Sequence, residues 1–379
     1  LSVDFSSESN SPPPANHFEH DPIDKKSIAD NSITDFIEDK AGHVWIGTGQ
    51  NGISFLSFVK SKFTHHRYDQ ENEWGLKSDK IYSITTMTDG MIWAATGFGL
   101  EMLSPDGIRE YDYEKSFLGV NYIIDLEIVN DENLWVASDQ GVLKINTMTD
   151  NITRFSKSDS LPDSRRLSDN LVHDILPIDD KIWVATGSGV VIIDTSSNNV
   201  INFSSDLIAR VITQDEEGDI WLGTEMDGLY RIPFDLLTNI ISGQNFEIEG
   251  YVFDPDYPNG ISSSQITCIS QDNNGMIWIG TNGGLNQYSK KEDAFIHYFV
   301  EDGLSSNYVT GIVVDHANNL WISSKKGISF FNQIDSTFTN YGLTDGIGNI
   351  DFHRHSYDDS PDGNIYFGGP LGITKVNPK

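Results

Sequence analysis

Residues 33–53 read ITDFIEDKAGHVWIGTGQNGI, and the phrase returns at 266–285 as ITCISQDNNGMIWIGTNGGL. Its centre is an aromatic residue with small and hydroxyl residues behind it and a glycine turn after them. The aromatic recurs at Trp45, Trp93, Trp135, Trp183, Trp221, Trp278 and Trp321, and an eighth copy, IYFGGPLGI, carries Tyr366 in its place. Successive positions lie 38 to 57 residues apart. Self-similarity at such a period marks a propeller or a solenoid.

Within one copy the strands are short. Ile33 to Glu38 is apolar and β-prone, Asp39 to Gly42 turns, Val44 to Gly47 is a second strand, and Gly52 closes a hairpin onto Ile53 to Phe58. Phe63 to Tyr68 completes a four-stranded antiparallel meander. The first turn recurs as Asp215 to Gly218, Asp272 to Gly275 and Asp315 to Asn319, where Asp and Asn accept backbone hydrogen bonds. Sustained helical periodicity is missing, so helix should be scarce. One such sheet cannot bury two apolar faces alone. Stacked radially, each sheet covers its neighbour, and the tryptophan becomes the plug between blades.

The expected fold is therefore all-β: a linker over residues 1–16, then a single propeller of four-stranded blades over 17–379. The last repeat ends after three strands, at Ile373 to Val376, while a lone strand, His17 to His20, precedes the first. Pairing these ends closes an eight-bladed ring. A seven-bladed ring with one repeat outside is the alternative.

The formal charge of −31 argues against nucleic acid or an anionic membrane surface as partner. The single cysteine, Cys268, cannot form an internal disulfide and reads as a small core residue. The sequence holds no apolar run long enough to span a bilayer. Opening on Leu1 rather than Met, with the linker-like SSESNSPPPA at 6–15, the chain reads as a piece of a longer protein.

The recurring phrase, with KSIADN (26–31), GISSSQ (260–265) and GLSSNY (303–308) leading into first strands, resembles the two-component regulator propeller family. The resemblance covers about residues 17 to 379. It implies a periplasmic sensor region of an inner-membrane receptor, feeding a kinase or cyclase output module that lies outside this chain. It further implies neighbouring domains of the same receptor as partners, and homodimerisation of the whole. Ser323 and Ser324 replace Gly-Thr in the seventh repeat, and Ala137 and Ser138 do so in the third. These departures bear on packing and not on the fold.

Ligands of propellers sit at the mouth of the central channel. A polar residue stands fourteen positions before the repeat aromatic at Asn31, Asp79, Asn121, Asp169, Ser264 and Asn307, with Asn349 near the same place. Each suits a strand-capping Asx-type turn. Departures from the repeat are more telling. Arg210 stands where other copies carry Thr34, Thr267 or Thr310, and His173 where others carry Asp35 or Ser83. Tyr122 and Tyr308 precede inner strands, Lys325 and Lys326 replace neutral turn residues, Glu225, Met226 and Asp227 are bulky in the same turn, and Asp351, His353 and His355 alternate around Arg354. The candidate binding residues are thus Tyr122, His173, Arg210, Asn307, Tyr308, Lys326, His353, Arg354 and His355. The long insertion before the sixth repeat adds Tyr251, Phe253 and Tyr257, either as a contact surface or as cover for its own blade edge.

The sequence holds no nucleophile elbow, His-Glu-x-x-His, cysteine cluster or EF-hand loop. The cluster 351–355 could hold a metal only if its alternation places Asp351, His353 and His355 on one strand face. The expected function is a non-catalytic sensor of an oligosaccharide or another small nutrient-derived ligand. Ca²⁺ is the one ion the acidity suggests, and no cofactor is implied. A structural brace between domains is the alternative, and a polysaccharide lyase or hydrolase the minor one.

Overall fold

The computed structural model describes residues 17–22, 27–39, 43–57, 62–203, 207–241 and 248–379. The expected linker, 1–16, and the start of the long insertion, 245–247, lie outside these. The chain falls into two compact units, 1–61 and 62–379.

The first unit holds one antiparallel sheet of three strands, Ile33–Glu38, His43–Thr48 and Ile53–Ser57. Phe36, Ile37, Trp45, Ile53 and Phe55 are all exposed on it. His17 to His20 is not a strand; there the His20 N–H donates to Asn31 Oδ1 at 2.7 Å.

The second unit is a closed ring of seven four-stranded sheets. Their inner strands are, in order, Ile81–Thr86, Ile123–Val129, Val172–Ile178, Ala209–Gln214, Ile266–Gln271, Val309–Val314 and Tyr357–Asp359. They define blades one to seven. Each inner strand touches the next, and the seventh touches the first. Eight repeats thus give eight sheets. Seven of them complete the ring, as in the seven-membered alternative, and the first repeat supplies the eighth sheet in its own unit.

The closing strand is the corrected element. It is Phe63–His66, the fourth strand of the first repeat, and not His17–His20. It pairs antiparallel with Gly372–Val376, in the register Val376↔Phe63 to Ile373↔His66. Burial explains the choice. Phe63 packs edge-on against Tyr341 at 4.9 Å and lies 6.5 Å from Trp321, inside the core between blades six and seven.

The seven repeat aromatics of the ring are the plugs expected of them, whereas Trp45 of the first unit is not. Trp93 packs on Ile123 and Leu126 of blade two, and so on around to Tyr366, which packs on Ile81 and Ile84 of blade one. Trp221, Trp278 and Trp321 also donate their indole N–H to the turn carboxylates Asp215, Asp272 and Asp315, at 2.7, 2.9 and 3.0 Å. Before Trp93 that place, six residues ahead, is Met87, and the indole N–H is buried without a partner among the described residues. The serine departures are conservative: Ser138 and Ser324 donate to the carbonyls of Gly141 and Gly327, just as Thr281 donates to Gly284. At Gly141 φ is +107°, and a Cβ would stand 2.1 Å from the Phe155 carbonyl oxygen, so no other residue fits that hairpin. Helix is scarce; the longest is Phe234–Ile241, between the outer strands of blade four.

Candidate functional site

Each inner strand of blades one to six carries a register shift near its start. The extra residues are Tyr82, Ile124, His173, Arg210, Thr267 and Thr310. A bulge re-aims the side chain it carries. Here it gives a ring of six such positions at the starts of the inner strands. His173 belongs to this ring with Arg210. The sequence alignment had equated it with Asp35 and Ser83, but the turn before Trp183 is one residue shorter, so that place belongs to Asp174. His355 lies eleven residues before Tyr366, as Arg210 does before Trp221, and has a positive φ of 56°.

Four of the expected residues, His173, Arg210, Tyr308 and Arg354, meet in one network at the mouth. Arg210 Nη1 is 2.7 Å from the His173 ring nitrogens, and its Nε is 3.5 Å from Glu225 Oε2. Arg354 Nη1 reaches the same oxygen at 3.2 Å, and its Nη2 donates to the Tyr308 hydroxyl at 2.6 Å. Gln265 donates to Glu225 Oε1. Beside this network His353 stacks on Tyr82, centroids 5.7 Å apart and planes 7° from parallel, with Nδ1 2.6 Å from the Ile81 carbonyl oxygen. Lys115 Nζ lies between the faces of Tyr82 and Tyr122, at 5.5 and 5.6 Å.

The others play different parts. Asn307 accepts the Val300 N–H at 2.8 Å and is a strand cap, as Asp79 is for Tyr68. Lys326 is exposed, and the lysine that joins the site is Lys325, 2.5 Å from Asp351 Oδ1 and 5.8 Å from the Tyr308 ring. Residues 351–355 form no strand. Asp351, His353 and His355 therefore share no face: one pairs with Lys325, one with the Ile81 carbonyl, and one turns into the channel. Tyr251 packs on Trp221 of its own blade and on Tyr288 of blade five, while Phe253 and Tyr257 are exposed.

Below the mouth the channel opens into a cavity of about 450 Å³. Asp125, Glu127, Asp174, His355, Asp358 and Asp359 line it, and no Lys or Arg does. Asp125 accepts from the Ser83 hydroxyl at 3.1 Å and the Ile175 N–H at 3.2 Å; Asp174 accepts the Ile212 N–H at 2.7 Å. Asp358 accepts both the N–H and the hydroxyl of Thr86, at 2.7 and 2.9 Å. Burial lifts the Asp358 carboxyl to about 7, against the pull of the Thr86 bonds. Burial, then the neighbouring Asp125 charge, raises Asp174 and Glu127 well above the carboxylate range. Burial and Arg210 push His173 down to about 4, and burial lowers His355 despite Asp125. Both imidazoles are therefore neutral near pH 7. Sequence reasoning missed Glu225, Gln265, Asp125 and Asp174 as site residues. Asp125 and Asp174 occupy the register of Asp35, which was a usable signal.

Residues 27–50, 260–283 and 303–326 match the family model described as two component regulator propeller. The chain carries two component regulator propeller repeats. No curated protein sequence matches it. Among solved structures it is similar to an extracellular domain described as that of the hybrid two component system BT3049 from B. thetaiotaomicron, with 24% identity and a TM-score of 0.78 over 96% of this chain and 47% of that one. It is similar also to PorZ of Porphyromonas gingivalis, described as a surface component of the type-IX secretion system, with 16% identity and a TM-score of 0.63 over 89% and 51%. Virginiamycin B lyase from Staphylococcus aureus gives 15%, 0.62, and 83% and 99%. At these identities the likeness is one of fold. The chain spans about half the length of the BT3049 domain and of PorZ.

Proposed function

We propose that this propeller is the ligand-recognition module of an extracytoplasmic sensor, without catalytic activity of its own, reading a small polar ligand at the channel mouth. The observation that carries the reading is the convergence on Glu225. Arg210, Gln265, Tyr308 and Arg354 come from blade four and from the segments entering blades five, six and seven, yet meet around one carboxylate. Aromatic faces beside forked donors suit a sugar, and an oligosaccharide is the ligand class we favour. Catalysis has little support at the mouth. His353 spends Nδ1 on a backbone carbonyl and His173 faces Arg210, so neither is poised as a base beside a hydroxyl.

The repeats and the fold shared with extracellular receptor domains support a periplasmic setting. Among the described residues no helix is long and apolar enough to cross a membrane. In this reading the ligand shifts the balance between two packings of the receptor's domains, within a homodimer of the full-length protein. A second reading is a brace between domains, because the Arg354–Glu225–Tyr308 network also satisfies itself. A calorimetric panel of neutral and acidic oligosaccharides, amino acids and organic acids separates the two. Saturable binding that falls at least about tenfold in Arg354→Ala and Tyr308→Ala supports the sensor. No binding to folded protein, across a panel to which the full receptor responds, leaves the brace.

A further inference from the structure

We propose that Asp125, Asp174 and His355 bind one divalent transition cation of the Zn²⁺ or Mn²⁺ class inside the channel. One donor atom from each residue lies within 4.8 Å of the other two. A point between them is then about 2.8 Å or less from all three, a small side-chain rotation from the ~2.0–2.2 Å of Zn–N and Zn–O bonds. The donors come from three places on a rigid ring: the inner strands of blades two and three, and the segment entering blade seven. Their second shell is already built. The Ile175 and Ile212 amides and the Ser83 hydroxyl hold the two carboxylates in place, as outer partners hold metal ligands elsewhere.

Two further features of the cavity suit a cation. His355 makes no hydrogen bond among the described residues; its Nδ1 lies 3.7 Å from Asp174 Oδ1, with the His355 side chain 14% exposed. Glu127 lines the same cavity, half-buried, and has neither a hydrogen bond nor an ion pair among the described residues. Enclosed carboxylates without a counter-charge are costly. The nearest guanidinium groups, of Arg210 and Arg354, are held at the mouth by Glu225. A dication held by Asp125, Asp174 and His355 supplies the charge that the cavity wall lacks.

The donor set selects the metal. Ca²⁺ and Mg²⁺ take oxygen ligands in larger or octahedral shells, whereas one imidazole nitrogen with two carboxylates suits Zn²⁺ or Mn²⁺. Three protein ligands leave a position open to the cavity, for water or for a donor atom of a bound molecule.

The test uses the whole chain, stripped with chelator, and Mn²⁺ or Zn²⁺ alone as probe, so it stands apart from the oligosaccharide reading. Calorimetry should give one site per chain, with Ca²⁺ and Mg²⁺ binding more weakly. His355→Gln, which removes no hydrogen bond, should weaken Mn²⁺ by about tenfold or more and abolish the nitrogen coupling in its electron paramagnetic resonance spectrum. Asp174→Asn keeps an acceptor for the Ile212 amide and should weaken binding likewise, with circular dichroism unchanged. Equal affinity in wild type and His355→Gln, several weak sites without stoichiometry, or anomalous Mn²⁺ density elsewhere would each overturn the proposal.

Discussion

The sheet of the first repeat and the sheet of blade five are written in almost the same words, yet they end in opposite environments. Trp45 and Trp278 both donate to a turn aspartate, Asp39 at 3.1 Å and Asp272 at 2.9 Å. Trp278 is fully buried, while Trp45 is 43% exposed. Ile53 is exposed and its counterpart Leu285 is not. Strand, turn and the indole bond follow from the local phrase. Burial does not; it comes from the sheets on either side, which blade five has within its unit.

The hardest blow to the ring should come from its closing strand. A chain beginning at Tyr68 lacks Phe63–His66 and leaves blade seven with an open edge. It should fail to give a cooperative unfolding transition, whereas a chain beginning at Lys62 should unfold by urea much as the full-length ring does. Equal behaviour of the two would mean that blade seven does not need its fourth strand.

Next in size is the aromatic plug. Trp278→Ala should cost about 3–5 kcal/mol in the ring transition, as for other large buried aromatics. Trp45→Ala should move that transition by less than about 0.5 kcal/mol, as an exposed substitution does. Matched losses would show that the first sheet is as deeply packed as the blades.

A smaller effect concerns what enclosure does to a carboxylate. Asp358 holds its proton up to about pH 7, well above the ordinary 3.8. Its contribution to stability is therefore full below about pH 4 and is lost as pH rises through 7. Asp358→Asn keeps an acceptor for Thr86 and should stabilise the ring at pH 8 by on the order of 2 kcal/mol, with almost no effect at pH 4. His173 works with the opposite sign. Its pKa is lowered to about 4, so its contribution is full above pH 6.5 and is lost as pH falls through 4. A gain in Asp358→Asn that is independent of pH would place the cause in packing rather than charge.

Much of this fold could be read before any coordinates. The Trp positions, the Asp turns and the hairpin glycines are short-range signals, and each marks the element it was expected to mark. The site was legible in parts. Arg210, Tyr308 and Arg354 stood out as breaks in a repeat, and they do converge. Their shared partner Glu225 looked like one bulky turn residue among three. His173 was placed one register off because a single residue is missing from a turn some eight positions away. The alternation at 351–355 suggested a strand face, but the inner strand there is only Tyr357–Asp359, and the residues before it cross the channel mouth as coil.

By itself the sequence determined the repeat, the four-strand unit, the aromatic plug and the acidity, because turn chemistry and strand alternation act over a few residues. Only the tertiary structure decided which strand closes the ring, which repeat stands apart, and which side chains share a cavity. Phe63 meets Val376 across most of the chain, and Asp174 meets His355 across nearly half of it. Such pairings depend on how many sheets the curvature admits before the first and last touch, and no local stretch of sequence carries that information.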